Sequence, residues 1–224
     1  MSESGVSESG PPLALLGGTF DPVHYAHLRC ADEAREKLGL DRLYLLPAGT
    51  PPHRRSPQAS NAQRMKMLQL AMAEFPDLQI DRREFERDGP SYMVDTLQEL
   101  RGESPQRPLL LLIGQDAANY LDRWHHWQNL FELAHIVIMT RPGEAPAYRS
   151  ELAQEIERRQ VMDIQTMLAS AAGYVLALEV AAIDICATTI KTMIGLGRSP
   201  RGMLPGQVLD YINEQGLYLT DTNS

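Results

Sequence analysis

Leu13-Ala14-Leu15-Leu16-Gly17-Gly18-Thr19-Phe20-Asp21-Pro22-Val23-His24-Tyr25-Ala26-His27-Leu28 runs from an unbroken apolar stretch through a glycine pair and a proline bend into helical spacing. An apolar run without polar alternation suits a strand buried on both faces. Gly17 and Gly18 let the backbone pass close to a ligand, and Asp21-Pro22 favours a tight bend. The helix that follows offers N–H groups and the positive end of its dipole. This is the build of a phosphate cradle. His24 and His27, three apart, share one helical face, and in either protonation state a ring N–H can donate to a phosphate oxygen. By itself an His-x-x-His pair also fits a surface coincidence or half of a metal site. Its place behind Gly17-Gly18-Thr19 favours the phosphate reading, because ligands of α/β folds sit beyond the carboxyl ends of the strands.

The pattern repeats along the chain. Leu43–Leu46 before Pro47, Leu109–Ile113 before Gly114 and Ile136–Met139 before Arg141-Pro142 read as further buried strands. His24–Leu38, Asn61–Glu74 and Tyr92–Leu100 read as amphipathic helices between them. Strand alternating with helix predicts right-handed crossovers and a doubly wound, mostly parallel α/β sheet. After Val175–Val180, the segments Ala187–Ile194 and Pro205–Asn213 read as helices, with Pro205 in a first turn and Gly216 at a helix end. The expected organisation is a floppy tail over 1–12, an α/β domain over 13–184, and a small helical extension over 185–224 packed on the same domain.

Composition narrows the function. The 224 residues carry 21 Lys and Arg against 29 Asp and Glu, a net charge of −8, which argues against non-specific binding to nucleic acid or anionic membranes. A small anion would need a local cationic pocket, and His53-Arg54-Arg55 and Arg82-Arg83 are candidates to supply one. Cys30 and Cys186 are too few for a disulfide framework. The N-terminus lacks the basic start and apolar stretch of a secretory signal, and no apolar run reaches the ~18–20 residues of a membrane span. The expectation is a cytoplasmic protein.

Gly17-Gly18-Thr19-Phe20-Asp21-Pro22-Val23-His24-Tyr25-Ala26-His27 resembles the first signature of the HxGH nucleotidyltransferases, and within that superfamily the chain looks like the bacterial nicotinate mononucleotide adenylyltransferases. The likeness runs from about Leu13 to Tyr218. It is carried by Thr50-Pro51-Pro52-His53, Ser91 to Leu97, Ile113-Gly114-Gln115-Asp116, Trp124, Arg141-Pro142, Ile185 to Lys191, and Leu204-Pro205 through Tyr211-Ile212 to Gly216-Leu217-Tyr218, in the family's order. The resemblance implies a Rossmann-like nucleotidyltransferase fold and transfer of AMP from ATP to nicotinate mononucleotide, giving nicotinate adenine dinucleotide and pyrophosphate in NAD biosynthesis.

It also implies roles. His24, His27 and Lys191 would be catalytic, gripping phosphates. Gly17, Gly18, Thr19, Phe20, His53, Gly114, Asp116, Ile185 and Thr188 would line the ATP site. Asp21, Thr50, Tyr92, Met93, Trp124 and Arg141 would receive nicotinate mononucleotide, with the Tyr92 and Met93 amides on its carboxylate and the Trp124 indole on its flat pyridine. No carboxylate cluster looks like a metal cage, so no residue is assigned to a metal, and Mg²⁺ is expected to arrive with ATP. A homo-oligomer is compatible with all of this.

Plainer readings stand beside these. Trp124, among His125, His126 and Trp127, fits an amphipathic turn packed on the sheet; Arg141 fits a strand-end cap; Asp116 fits a helix N-cap; His53 fits a solvated loop. Four positions depart from the family pattern: Ala26 for Gly, Met93 for Thr, Cys186 for Ser and Lys191 for Arg. Ala26 would crowd a close backbone approach. Lys191 keeps the charge and loses the bidentate fork. Cys186 reads as a small buried residue, not a nucleophile. The competing functions are an adenylyltransferase with another acceptor, such as the amide mononucleotide or phosphopantetheine, and a non-catalytic nucleotide sensor.

Overall fold

The computed structural model describes residues 10–50, 56–142 and 145–219. His53 and its neighbours Pro51 to Arg55, and most of the expected tail, lie outside the described residues.

In chain order the elements are β1 (Leu13–Gly18), α1 (Tyr25–Lys37), β2 (Leu43–Pro47), α2 (Asn61–Ala71), β3 (Leu78–Ile80), α3 (Arg83–Glu86) and α4 (Met93–Glu103). There follow β4 (Leu109–Gly114), α5 (Gln115–Ala118), a 3-10 turn (Leu121–Arg123), α6 (Trp127–Leu133), β5 (His135–Thr140), α7 (Ser150–Arg159) and β6 (Gln160–Val161). The chain closes through α8 (Ile164–Leu168), β7 (Val175–Glu179), α9 (Ala187–Gly195) and α10 (Gly206–Glu214). The strand order is β3-β2-β1-β4-β5-β7-β6. The β2–β3, β4–β5, β5–β7 and β6–β7 pairs are all parallel. The doubly wound parallel α/β architecture expected from the alternating pattern is therefore the one observed.

The strands form where the apolar runs are, and for the expected reason: Leu109 to Ile113 and Ile136 to Ile138 are each at most 4% exposed. Helix ends follow local chemistry. Ser60 and Gln63 close a reciprocal capping box on α2. Gly39 and Gly216, at φ +64° and +60°, carry the chain out of α1 and α10 in a conformation that suits glycine. Pro205 sits just before α10 as its N-cap, one residue earlier than expected.

The chain divides into two compact units that do not follow it linearly. One contains Tyr92–Glu179 with the chain up to Leu15, and the other Leu16–Ser91 with Val180 onward.

The first unit is organised by buried polar groups as well as by leucine. Arg101, near the end of α4, donates to the carbonyls of Ser104, Pro105 and Arg107 and to those of Leu133 and Ala171. One guanidinium thereby ties together three chain segments that follow α4, end α6 and precede β7. His135, fully buried at the start of β5, accepts from the Tyr174 amide on Nδ1, so its Nε2 carries the proton and donates to Ser170 O at 2.9 Å. Burial holds this ring below the ordinary imidazole pKa.

Arg101→Leu should destabilise the protein by roughly 2–4 kcal/mol, since part-buried carbonyls such as those of Leu133 and Arg107 lose a charged donor; urea unfolding of the two proteins measures this.

Candidate active site

The second unit holds most of the sequence-predicted nucleotide residues, gathered on the loops after β1 and β2 and on α9. Gly18 ends β1. A Cβ there would stand 2.8 Å from Cζ of Phe20, so the missing side chain is what admits that ring. Phe20 is 1% exposed and has φ +48°, a left-handed backbone that is uncommon for a bulky residue. Its ring meets His27 edge-on at 5.0 Å between centroids, and His27 stacks on His24 at 3.6 Å. Glycine, phenylalanine and two imidazoles thus form one packed column.

His24 is the N-cap of α1, with extended backbone, and not part of its first turn as the spacing suggested. The rings still meet because N-cap and N3 side chains lie over one another, as in a capping box. His24 is 4% exposed and His27 half-buried. Ala26 is 4% exposed, so its methyl group lies in the interior and not on an open face.

Asp21 is the hub of the unit. Its carboxylate accepts from the Gln58 amide (3.0 Å), the Ala59 amide (3.1 Å), Lys191 Nζ (3.1 Å) and Tyr218 Oη (2.7 Å). Burial alone would raise its pKa, but these four donors outweigh burial and hold the carboxyl below its usual value. Sequence reasoning placed Asp21 with the acceptor nucleotide; the structure turns its carboxylate toward protein donors. Lys191, on α9, is part-exposed and lies with Nζ 5.7 Å from the Tyr218 ring centroid.

A second buried charge fixes the loops themselves. Arg64 is 0% exposed and donates to the carbonyls of Thr19, Ala48 and Gly49 and to Asn61 Oδ1. Gly49 is needed because a Cβ would collide with the Glu84 carbonyl. Ser91 Oγ accepts from the Gly49 and Thr50 amides, at 2.9 and 3.1 Å. Thr50 is exposed above this brace.

On α9, Thr188 is exposed in the first turn and Ile185 is half-buried just before it. Cys186 is the N-cap and is exposed, which corrects the expectation of a buried residue. The thiol lies 3.2 Å from Thr189 Oγ1, whose hydrogen bond, with the first-turn amides, lowers its pKa.

The remaining candidates belong to the first unit, each at a strand or helix end. Tyr92 and Met93 are the N-cap and first residue of α4, where amides have no intrahelical acceptor. The Tyr92 ring lies 4.3 Å from that of His125. Gly114 ends β4, and Asp116 folds its carboxylate over it, with Oδ1 2.6 Å from where a Cβ would stand. Asp116 is in the first turn of α5, whose N-cap is Gly114, so the N-cap reading of Asp116 does not hold. Packing of the aromatic cluster falls to Trp127, 7% exposed and edge-on to Phe131, which leaves Trp124 half-exposed. Arg141 is exposed directly after β5.

A family model described as cytidylyltransferase-like matches residues 15–192. A probable nicotinate-nucleotide adenylyltransferase of Aeromonas hydrophila is 44% identical over 93% of this chain and 97% of its own. One from Acidithiobacillus ferrooxidans is 43% identical over 95% and 98%. The chain belongs to the nicotinate-nucleotide adenylyltransferases. It is a nucleotidyltransferase. The fold is shared with the Plasmodium falciparum nicotinic acid mononucleotide adenylyltransferase solved with NaAD, at TM-score 0.71 and 13% identity over 93% of this chain and 98% of that one.

In this adenylyltransferase, sequence reasoning missed Arg64 and gave Tyr218 no role beyond closing the pattern. Arg64 had a legible signal: with Met67, Leu68 and Ala71 it occupies the buried stripe of α2. A charge on such a stripe has to be paired.

Two outcomes are expected. Gly18→Ala should cost ~1–3 kcal/mol by displacing Phe20, read in thermal unfolding. Asp21 has a folded pKa below its unfolded one, so its contribution is full above the unfolded value and is lost as pH falls through the folded one. Asp21→Asn should therefore flatten the acid limb of unfolding free energy below the unfolded carboxyl's titration range.

Proposed function

We propose that this enzyme transfers AMP from ATP to nicotinate mononucleotide, releasing pyrophosphate and forming nicotinate adenine dinucleotide in NAD biosynthesis. The observation that carries this reading is the packed column at the end of β1, in which Gly18 and Phe20 fix two stacked imidazoles beside the N-terminus of α1. Aeromonas and Acidithiobacillus relatives named for this reaction, matched nearly end to end, support the substrates.

The nucleophile is a phosphate oxygen of the mononucleotide. Its second pKa is about 6, so it is already ionised at neutral pH and no strong base is required. It attacks the α-phosphorus of ATP, the bond to the bridging oxygen of the β-phosphate breaks, and that oxygen leaves with pyrophosphate. The task left to the protein is to align two polyanions and to stabilise the charge that develops. His24 and His27 donate ring N–H groups to ATP phosphates, and an arriving polyanion offsets the repulsion that two stacked imidazolium rings would feel. Thr188 and Lys191 contact the β- and γ-phosphates. Asp116 accepts from sugar hydroxyls of ATP. The Tyr92 and Met93 amides bind the nicotinate carboxylate, Trp124 stacks on the pyridine, and Arg141 adds positive charge.

Mg²⁺ would arrive with the triphosphate, held by its phosphate oxygens and water. When bound, the ion would neutralise phosphate charge.

Pyrophosphate release with ATP, Mg²⁺ and either mononucleotide tests the reading. Faster release with the acid form is expected. Preference for the amide or for phosphopantetheine, or nucleotide binding without release, would overturn it. His24→Ala should lower kcat/KM by about 10²-fold or more, the cost of losing a donor to developing charge, while its melting temperature falls by only a few degrees.

A further inference from the structure

Lysine at position 191 poses a physical problem that arginine would not. An ammonium is a point charge on a flexible four-carbon stem, whereas a guanidinium carries a planar fork that directs itself onto phosphate. Something outside the side chain has to decide where the Lys191 ammonium stands. Two segments far away in the chain meet at it. Asp21, 170 residues away in sequence, accepts from Nζ at 3.1 Å. Tyr218, a further 27 residues toward the C-terminus, donates to the other carboxylate oxygen at 2.7 Å and sets its ring 5.7 Å from Nζ.

The chain after α10 is shaped for this contact. Gly216 turns out of the helix at φ +60°, the Leu217 amide returns to the Ile212 carbonyl at 3.0 Å, and Tyr218 itself takes φ +64°, a backbone that a tyrosine seldom adopts. Tyr218 is 8% exposed, and burial with the nearby Asp21 charge keeps the phenol a neutral donor. Asp21 cannot swing away, because the Gln58 and Ala59 amides hold its oxygens from the opposite loop. Asp21 uses one of the three ammonium donors, which leaves donor capacity directed away from the carboxylate.

We propose that Tyr218 and Asp21 are positioning residues for Lys191: the Tyr218 hydroxyl fixes the carboxylate, the carboxylate fixes the ammonium, and the ammonium is thereby presented to the polyphosphate end of ATP. The proposal rests on the reading of Lys191 as a phosphate contact.

The test uses the full chain and inorganic tripolyphosphate as the probe, with affinity read by calorimetry and KM for ATP and for nicotinate mononucleotide read separately. Tyr218→Phe keeps the ring and removes only the hydroxyl. It should weaken tripolyphosphate binding and raise KM for ATP about five-fold, the scale of one lost hydrogen bond, without raising KM for the mononucleotide. In a Lys191→Ala background the same substitution should change tripolyphosphate affinity no further, although it still lowers the melting temperature. Asp21→Asn, of nearly equal volume, should behave as Tyr218→Phe does and serves if that variant does not fold. Full tripolyphosphate affinity in both variants, or an equal loss with and without Lys191, overturns the relay. Wild-type affinity in Lys191→Ala alone instead overturns the phosphate role of Lys191, a separate failure.

Discussion

A carboxylate taken out of water must be surrounded by donors or it will not remain ionised. Asp21, 5% exposed, meets that demand with two backbone amides, a phenol and an ammonium. Each donor comes with a segment attached: the loop ahead of α2, helix α9, and the chain beyond α10. The need of one buried charge therefore organises the second unit around the loop that follows β1. The same need explains why the C-terminal segment returns to the first loop.

The interior near this loop is held by charge and shape together. Arg64 collects three carbonyls that the β1 and β2 loops leave without partners, which replaces water by a fixed cation. Gly18 does the opposite kind of work, since its missing side chain is the space the Phe20 ring fills. That ring in turn limits where His27 can stand, and His27 limits His24. Preorganisation of this kind spares a site the cost of ordering its donors when the ligand arrives.

Legibility in the sequence followed the strength of the local signal. β1, β2, β4 and β5 are unbroken apolar runs, α1, α4, α9 and α10 bury a recurring apolar stripe, and α2 opens on a capping box, so each was readable to within a few residues at its ends. β3 and β6, with three and two residues, and α3 and α5, with four each, are too short to show a period. In α7 only Leu152 and Ile156 are buried, too thin a stripe to stand out. The candidate site was legible in part. The glycine pair, the two histidines and the α9 residues announced themselves by position. The sharing of labour between Trp124 and Trp127, and the exposure of Cys186, did not, because which way the backbone turns each side chain is set by tertiary packing and not by residue type.

The main strands and helices, their buried faces and the glycine-bearing turn after β1 were determined by the sequence alone, because periodicity, glycine and proline act within a few residues. The partners of Asp21, the place of Arg64 in the interior and the return of Tyr218 were decided only by tertiary structure. These are contacts across up to 197 residues. No local preference specifies which distant donor will satisfy a buried charge; the packing of the helices that carry those donors does.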